Sequence, residues 1–152
     1  MRMKILIQRV SHASVEVDKK IVGKIGPGVL VFIGITHTDT MEQVKWLANK
    51  LVNLRMFEDD QGKINQSLIE KKGSVLIISQ FTLYADCSDG RRPSFTKAAP
   101  PEIAQPLYKE FALEVGKFGI PVETGIFGAD MKVSLLNDGP VTLMIERPST
   151  HG

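Results

Sequence analysis

The stretch that most constrains this chain is Val75-Leu76-Ile77-Ile78, four consecutive apolar residues between Gly73-Ser74 and Ser79-Gln80. The run has strand length, is too short for a typical helix and carries no helix cap. A strand that is apolar on both faces must be covered on both. This places the run at the centre of a sheet, with material packed above and below it. The segment then turns polar at Ser79, Gln80 and Thr82 while keeping Phe81 and Leu83. Polar groups at the end of a buried strand each need a partner. They either hydrogen-bond a neighbouring loop or line a site at the mouth of the sheet. For an arbitrary Ser-Gln-Phe-Thr the first reading would win.

The rest of the chain supplies the covering layers. Residues 3–10 read as a first strand, Ser14-Val15-Glu16-Val17 alternates, Asp18-Lys19-Lys20 turns, and Ile21-Val22 returns. Gly26-Pro27-Gly28 is a second turn ahead of the buried run Val29 to Ile35, and no Gly-x-Gly-x-x-Gly or Lys-Ser/Thr follows it to make a phosphate loop. Asp39 to Leu54 reads as an amphipathic helix, with Val44, Leu47, Ala48, Leu51 and Leu54 on one face. Either Asp39 with Glu42 or Thr40 with Gln43 supplies its capping box. Trp46 lies off the stripe and is expected to be partly exposed packing or a contact to another subunit. Pro100-Pro101 opens a second helix to about Phe118, with Ile103, Leu107, Phe111 and Val115 buried and Gly119 and Pro121 closing it. Pro106 would lose the bond to Glu102, so the regular helix is expected to begin after Pro101.

Two or three strands close the chain. With 152 residues, 43% hydrophobic and 24% charged, it is read as one domain. The expected class is α/β of the α+β kind: a curled, mainly antiparallel sheet packed by two main helices, with residues 148–152 a flexible tail.

Several functions are disfavoured. A net charge of +2 is too small to argue for nucleic acid by itself. No apolar run approaches the roughly 20 residues of a membrane span, and Gln8-Arg9 cut the apolar start too short for a signal peptide, so the expected location is cytoplasmic with no membrane partner. The single Cys87 allows no intrachain disulfide and no multi-cysteine zinc site. His12, His37 and His151 are scattered, none at metal-ligand spacing, so no metal or cofactor is expected.

Residues 137–142 read Asn-Asp-Gly-Pro-Val-Thr, between the strand-like runs Val133–Leu136 and Val141–Ile145. Asp-Gly between two such runs is a hairpin signal. Pro140 directly after it removes one ladder donor, and Gly139–Pro140 is a candidate cis peptide bond. Three further segments stand out: Gln8-Arg9-Val10 with Ala13-Ser14-Val15, Gly90-Arg91-Arg92-Pro93-Ser94-Phe95, and Thr124-Gly125-Ile126-Phe127-Gly128-Ala129-Asp130-Met131. Together with Ser79-Gln80-Phe81-Thr82 and Gly139-Pro140-Val141-Thr142 in this order, they resemble the D-aminoacyl-tRNA deacylases, the D-tyrosyl-tRNA deacylase family. The resemblance runs from about the first residue to Arg147. One departure is Asp89, acidic where the family more often has a basic residue before the glycine.

The resemblance implies a compact domain with a barrel-like sheet, working as a homodimer with active sites at the subunit interface. It also implies hydrolysis of the ester joining a D-amino acid, or glycine, to the 3′ end of tRNA. Hydrolysis creates a negative oxygen, which the backbone N–H groups of Phe81 and Thr82 could stabilise. Ser79 and Gln80 complete the expected catalytic segment. Thr82 could instead be a nucleophile, but no His or Lys adjoins it in sequence, which favours a positioning role. The resemblance implies a water assisted by the ribose 2′-hydroxyl as base. Phe127 and Met131, with Phe81, are expected around the adenosine, and Arg91, Arg92 and Lys97 on tRNA phosphates. By the same analogy Gly139 and Pro140 enter the partner's site as a wall against L side chains, held by Arg9 and supported by Val141 and Thr142. A non-catalytic RNA-binding module is the alternative from another class.

Overall fold

Polar Ser11 and His12 do not end the first strand. The computed structural model, which describes residues 2–148, has one unbroken strand from Arg2 to Val17 (β1) where the sequence predicts two pieces. His12 is exposed, so its polarity costs the strand nothing. The remaining elements are β2 (Lys20–Ile25), β3 (Gly28–Gly34), α1 (Met41–Asn53), β4 (Arg55–Glu58), β5 (Ile64–Ser67), α2 (Leu68–Lys71), β6 (Ser74–Ser79), α3 (Pro101–Gly116), β7 (Val122–Thr124) and β8 (Lys132–Pro148). Of the tail predicted at 148–152, Pro148 is instead the last residue of β8, paired with Arg2, and the remainder, with His151, lies outside the described residues.

β1 organises the antiparallel part of the sheet. β3 pairs with it along Lys4–Val10 and β2 along Ala13–Val17, while β8 pairs with it from Arg2 to Glu16. Asp18 and Lys19 both take positive φ, which a two-residue hairpin turn requires. β6 joins β3 in parallel and β7 joins β6 in parallel, because helices cross over between them. The sheet is therefore mixed. It curls until β2 faces β7: a Cβ on Gly23 would lie 2.8 Å from the Thr124 carbonyl oxygen, and the Lys24 N–H reaches Glu123 Oε1 at 3.5 Å. The result is a barrel closed except at one seam.

Val75, Leu76, Ile77 and Ile78 are at most 1% exposed, as expected of the central strand. Strand alternation deals them to two cores. Val75 and Ile77 face the helix layer with Val29, Val31, Ile5 and Phe111, while Leu76 and Ile78 join Leu30, Val10 and Val15 inside the curl.

α1 starts with the Thr40–Gln43 capping box, the Thr40 N–H donating to Gln43 Oε1 at 2.7 Å. Asp39 is used one turn earlier, accepting the Thr36 N–H at 2.7 Å. Trp46 is half-buried and packs within the chain, under the Arg147 guanidinium at 4.8 Å, and that guanidinium also donates to Glu42 Oε1. α3 begins at Pro101 and runs through Pro106, contrary to the expected later start. Pro106 and Glu102 are both exposed, so water can satisfy the carbonyl that loses its bond. The buried stripe is Ala104, Tyr108, Phe111 and Val115, one position along from the predicted Ile103 and Leu107. Tyr108 can be buried because its hydroxyl donates to the Ile77 carbonyl at 3.2 Å.

The Asp-Gly-Pro segment is not a hairpin. Both runs that flank it pair with β1 in one direction: Thr142 lies opposite Gln8 and Asn137 opposite Val10. A hairpin would pair the two runs with each other. The long edge of β1 accepts both instead, so Asp138, Gly139, Pro140 and Val141 leave the sheet as an excursion opposite Arg9.

Candidate active site

β6 ends where Gln80 leaves extended geometry, at φ −145° and ψ 80°, and Phe81–Tyr84 wind into one 3₁₀ turn. The turn is tied to the sheet at both ends. The Gln80 N–H donates to the Ile33 carbonyl at 2.8 Å, and the buried Tyr84 hydroxyl donates to the carbonyls of Arg2 and Gly34. Burial holds the Tyr84 hydroxyl far above the ordinary tyrosine range, so it stays a donor at any working pH. Gly34 gives the turn room, since a Cβ there would stand 3.1 Å from Leu83 and from the Tyr84 ring.

A cavity of about 570 Å³ opens beside this turn. Ser79, Gln80 and Phe81 form one wall, Phe127 and Met131 another, and Ala99 and Ala104 lie among the other lining residues. The walls are mostly apolar, with Ser79, Gln80 and Asp130 as the polar side chains among them, the usual composition of a small-molecule site. Phe81 is 58% exposed and meets Phe95 edge to face, centroids 5.2 Å apart, at the lip. Phe127 is held against the Tyr108 ring at 5.8 Å. Met131 fills space that only a glycine leaves open, because a Cβ on Gly125 would be 2.5 Å from its sulfur. The Gln80 side-chain amide donates to the Thr82 hydroxyl. The N–H groups of Phe81 and Thr82 open the 3₁₀ turn and so have no acceptor within it.

The cavity thus gathers Ser79, Gln80, Phe81, Phe127 and Met131, while Thr82 adjoins it through Gln80 without lining it. Arg91 and Arg92 are exposed on the loop that follows the turn. Lys97 lines a separate recess with Lys4, Tyr84 and Cys87. The end of that loop is pinned: the Thr36 hydroxyl donates to the Lys97 carbonyl at 2.6 Å, and the Ala99 N–H donates to the Ile35 carbonyl at 2.9 Å. Phe95 entered the sequence reading only as the end of the Gly90–Phe95 segment, and Ala99 and Ala104 carried no role in it. Small residues are silent in a pattern, and only the tertiary fold shows that they leave a void.

Gly139 and Pro140 are exposed, and the bond between them is cis. Neither lines the cavity of its own chain, nor do Val141 and Thr142. Gly139 takes φ +134°, a conformation rare for residues with a side chain. Arg9, only 6% exposed, donates through Nε to the Asp138 carbonyl at 2.9 Å and through Nη1 to the Met56 carbonyl at 2.8 Å.

A family model described as D-Tyr-tRNA(Tyr) deacylase matches residues 6–146, nearly the whole chain. The chain belongs to the D-Tyr-tRNA(Tyr) deacylase family. A relative from Geotalea daltonii, named D-aminoacyl-tRNA deacylase, is 58% identical over 146 residues, 96% of this chain and 97% of its own. A solved structure described as c-Myc DNA Unwinding Element Binding Protein is 38% identical with a TM-score of 0.89, over 95% of this chain and 99% of that one. Another, described as a probable eukaryotic D-amino acid tRNA deacylase, is 22% identical with a TM-score of 0.84, over 97% of this chain and 100% of its own, and supports the deacylase fold alone. Among the described residues no helix is long and apolar enough to cross a membrane.

Proposed function

We propose that this chain hydrolyses the ester bond of D-aminoacyl-tRNA, and of glycine mischarged on tRNA, releasing free amino acid and tRNA in the cytoplasm. The observation that carries the reading is the cavity at the end of β6, walled by Ser79, Gln80 and Phe81, in a chain of the deacylase family. The adenosine lies against Phe81, Phe127 and Met131. The N–H groups of Phe81 and Thr82 face the carbonyl oxygen as charge develops on it, an effect worth about 2.7–4 kcal/mol per donor in hydrolases. Thr82 positions the substrate, its hydroxyl held by Gln80. The attacking water is activated by the substrate's own ribose hydroxyl.

Chirality needs a wall on one side of the α-carbon. Gly139 and Pro140 protrude from β8 beside the exposed Leu143 and Met144. An apolar edge strand next to a fixed protrusion suits a second copy of this chain. In the homodimer each excursion enters its partner's cavity and blocks L side chains, while glycine, which has none, passes.

Purified protein given matched D- and L-tyrosyl-tRNA should release the D amino acid at least about tenfold faster, a gap of ~1.4 kcal/mol in barrier. Equal rates would reject the chiral assignment. Binding of tRNA without turnover would leave a non-catalytic RNA-binding module. The RNA path is tested separately. Replacing Arg91 and Arg92 with glutamine should weaken tRNA binding and flatten its salt dependence, by roughly 0.7 slope units per lost single-strand phosphate contact. An unchanged slope removes the loop from that path.

A further inference from the structure

The excursion at Gly139–Pro140 has a neck, and the neck has a clip. Its two limbs leave β1 at Asn137 and rejoin it at Thr142. The outgoing limb is held by Arg9 on the Asp138 carbonyl. The returning limb is poorly placed for main-chain support: Pro140 has no N–H, and Val141 lies off the ladder. The Asn137 side chain supplies what is missing. Its Oδ1 accepts the Val141 N–H at 3.2 Å, and its Nδ2 donates to the Thr142 hydroxyl at 3.0 Å. Gln8 Nε2 approaches the same hydroxyl from β1 at 3.4 Å. One side-chain amide therefore spans the neck and ties the returning limb to the residue that leads out of it.

We infer that Asn137 is a positioning residue for chiral discrimination. By closing the neck it fixes where Gly139 and Pro140 project, and through them it sets how strongly an L side chain is excluded. The inference rests on the reading of the excursion as the wall of the partner's site. Asn137 is half-buried and the projecting Asp138, Gly139 and Pro140 are exposed, so the clip sits where the chain passes from sheet to solvent. Both groups that Asn137 engages are spaced for an amide: an acceptor is needed at one, and at the other either polarity works, because a threonine hydroxyl donates as well as accepts.

That asymmetry designs the test. Asn137→Leu keeps the side chain's shape and removes both bonds. Asn137→Asp keeps the acceptor for Val141, and the Thr142 hydroxyl can turn to donate to the carboxylate while still accepting from Gln8. The leucine variant is expected to lose at least about tenfold in the ratio of D- to L-tyrosyl-tRNA hydrolysis, in kcat more than in KM for tRNA. The aspartate variant should recover most of that ratio at neutral pH, which a role in bulk packing would not predict. Amide exchange gives a readout that needs no turnover: the Val141 N–H should be protected in the native chain and in Asn137→Asp, and exposed in Asn137→Leu. If the leucine variant fails to fold, Thr142→Val removes half of the clip and should lower the ratio in the same direction. An unchanged ratio in a folded leucine or valine variant overturns the inference, as does an aspartate variant as poor as leucine. A native chain that shows no D-preference while the Val141 amide behaves as expected rejects the proposed function and leaves the clip standing.

Discussion

Replacing Arg9 with methionine should destabilise the protein by about 2–4 kcal/mol and lower D-aminoacyl-tRNA turnover with it. Arg9 is almost wholly buried and holds two main-chain carbonyls, those of Met56 and Asp138. Hydrogen bonds from a charged donor contribute about 1.5–3 kcal/mol each. Part of that is offset because methionine removes the cost of burying a guanidinium. For a chain of this size the loss corresponds to a melting temperature lower by roughly 5–15 °C. The carboxylate of Asp138 also stands 3.9 Å from Arg9 Nε, but its side chain is 59% exposed. With one partner open to water and the two atoms 3.9 Å apart, the pair is screened and worth at most about 1 kcal/mol. Asp138→Asn should therefore melt within about 3 °C of the parent. Thermal melts of the two variants decide the matter. Equal losses would mean that the ion pair, and not the carbonyl, anchors the excursion.

A second large effect is expected at Gly28, remote from any substrate. A Cβ built there would lie 1.9 Å from the Ser74 carbonyl oxygen and 2.7 Å from its nitrogen. Both are backbone atoms of β6, so no rotamer change relieves the clash. Gly28→Ala must push β3 and β6 apart where their parallel pairing starts. A loss above about 4 kcal/mol is expected, in the range reserved for core disruption, and β6 carries Ser79 to the cavity. Gly62→Ala is the control. Gly62 sits at φ +76° with nothing within 4 Å of the added atom, so only backbone strain of about 1–2 kcal/mol applies. Denaturant midpoints of both variants measure the contrast, and a Gly28→Ala protein as stable as Gly62→Ala would refute the close approach.

The parts of the fold that were legible in the sequence are those whose burial leaves a local trace. Val75–Ile78 is apolar at every position because both of its faces are covered. The capping box of α1 was legible as one of two choices, because its two residues are three apart in the chain. What failed locally was decided by pairing partners. Nothing in Ser11-His12 announces that β1 continues, and nothing in Asn137–Thr142 announces that both flanks will find the same edge. Tyr108 was missed because its burial depends on a carbonyl supplied by β6. The cavity divides the same way. Ser79, Gln80 and Phe81 follow one another in sequence, whereas Phe95, Ala99 and Ala104 arrive from a loop and a helix positioned by the rest of the molecule.

The way β8 passes Arg9 also bears on how such a protein can change. Residues 132–136 and 142–148 of β8 each hold a regular register of their own on β1, on either side of the excursion. Residues added between Asn137 and Thr142 would lengthen the protrusion without moving Ile145 or Val133 off its face, and the entropy of a longer loop grows only slowly with length. A single residue inserted elsewhere in β8 would turn half of the strand inside out. The excursion is therefore a socket in the sheet, where a segment of different length or chemistry can be fitted while the barrel around it stays as it is.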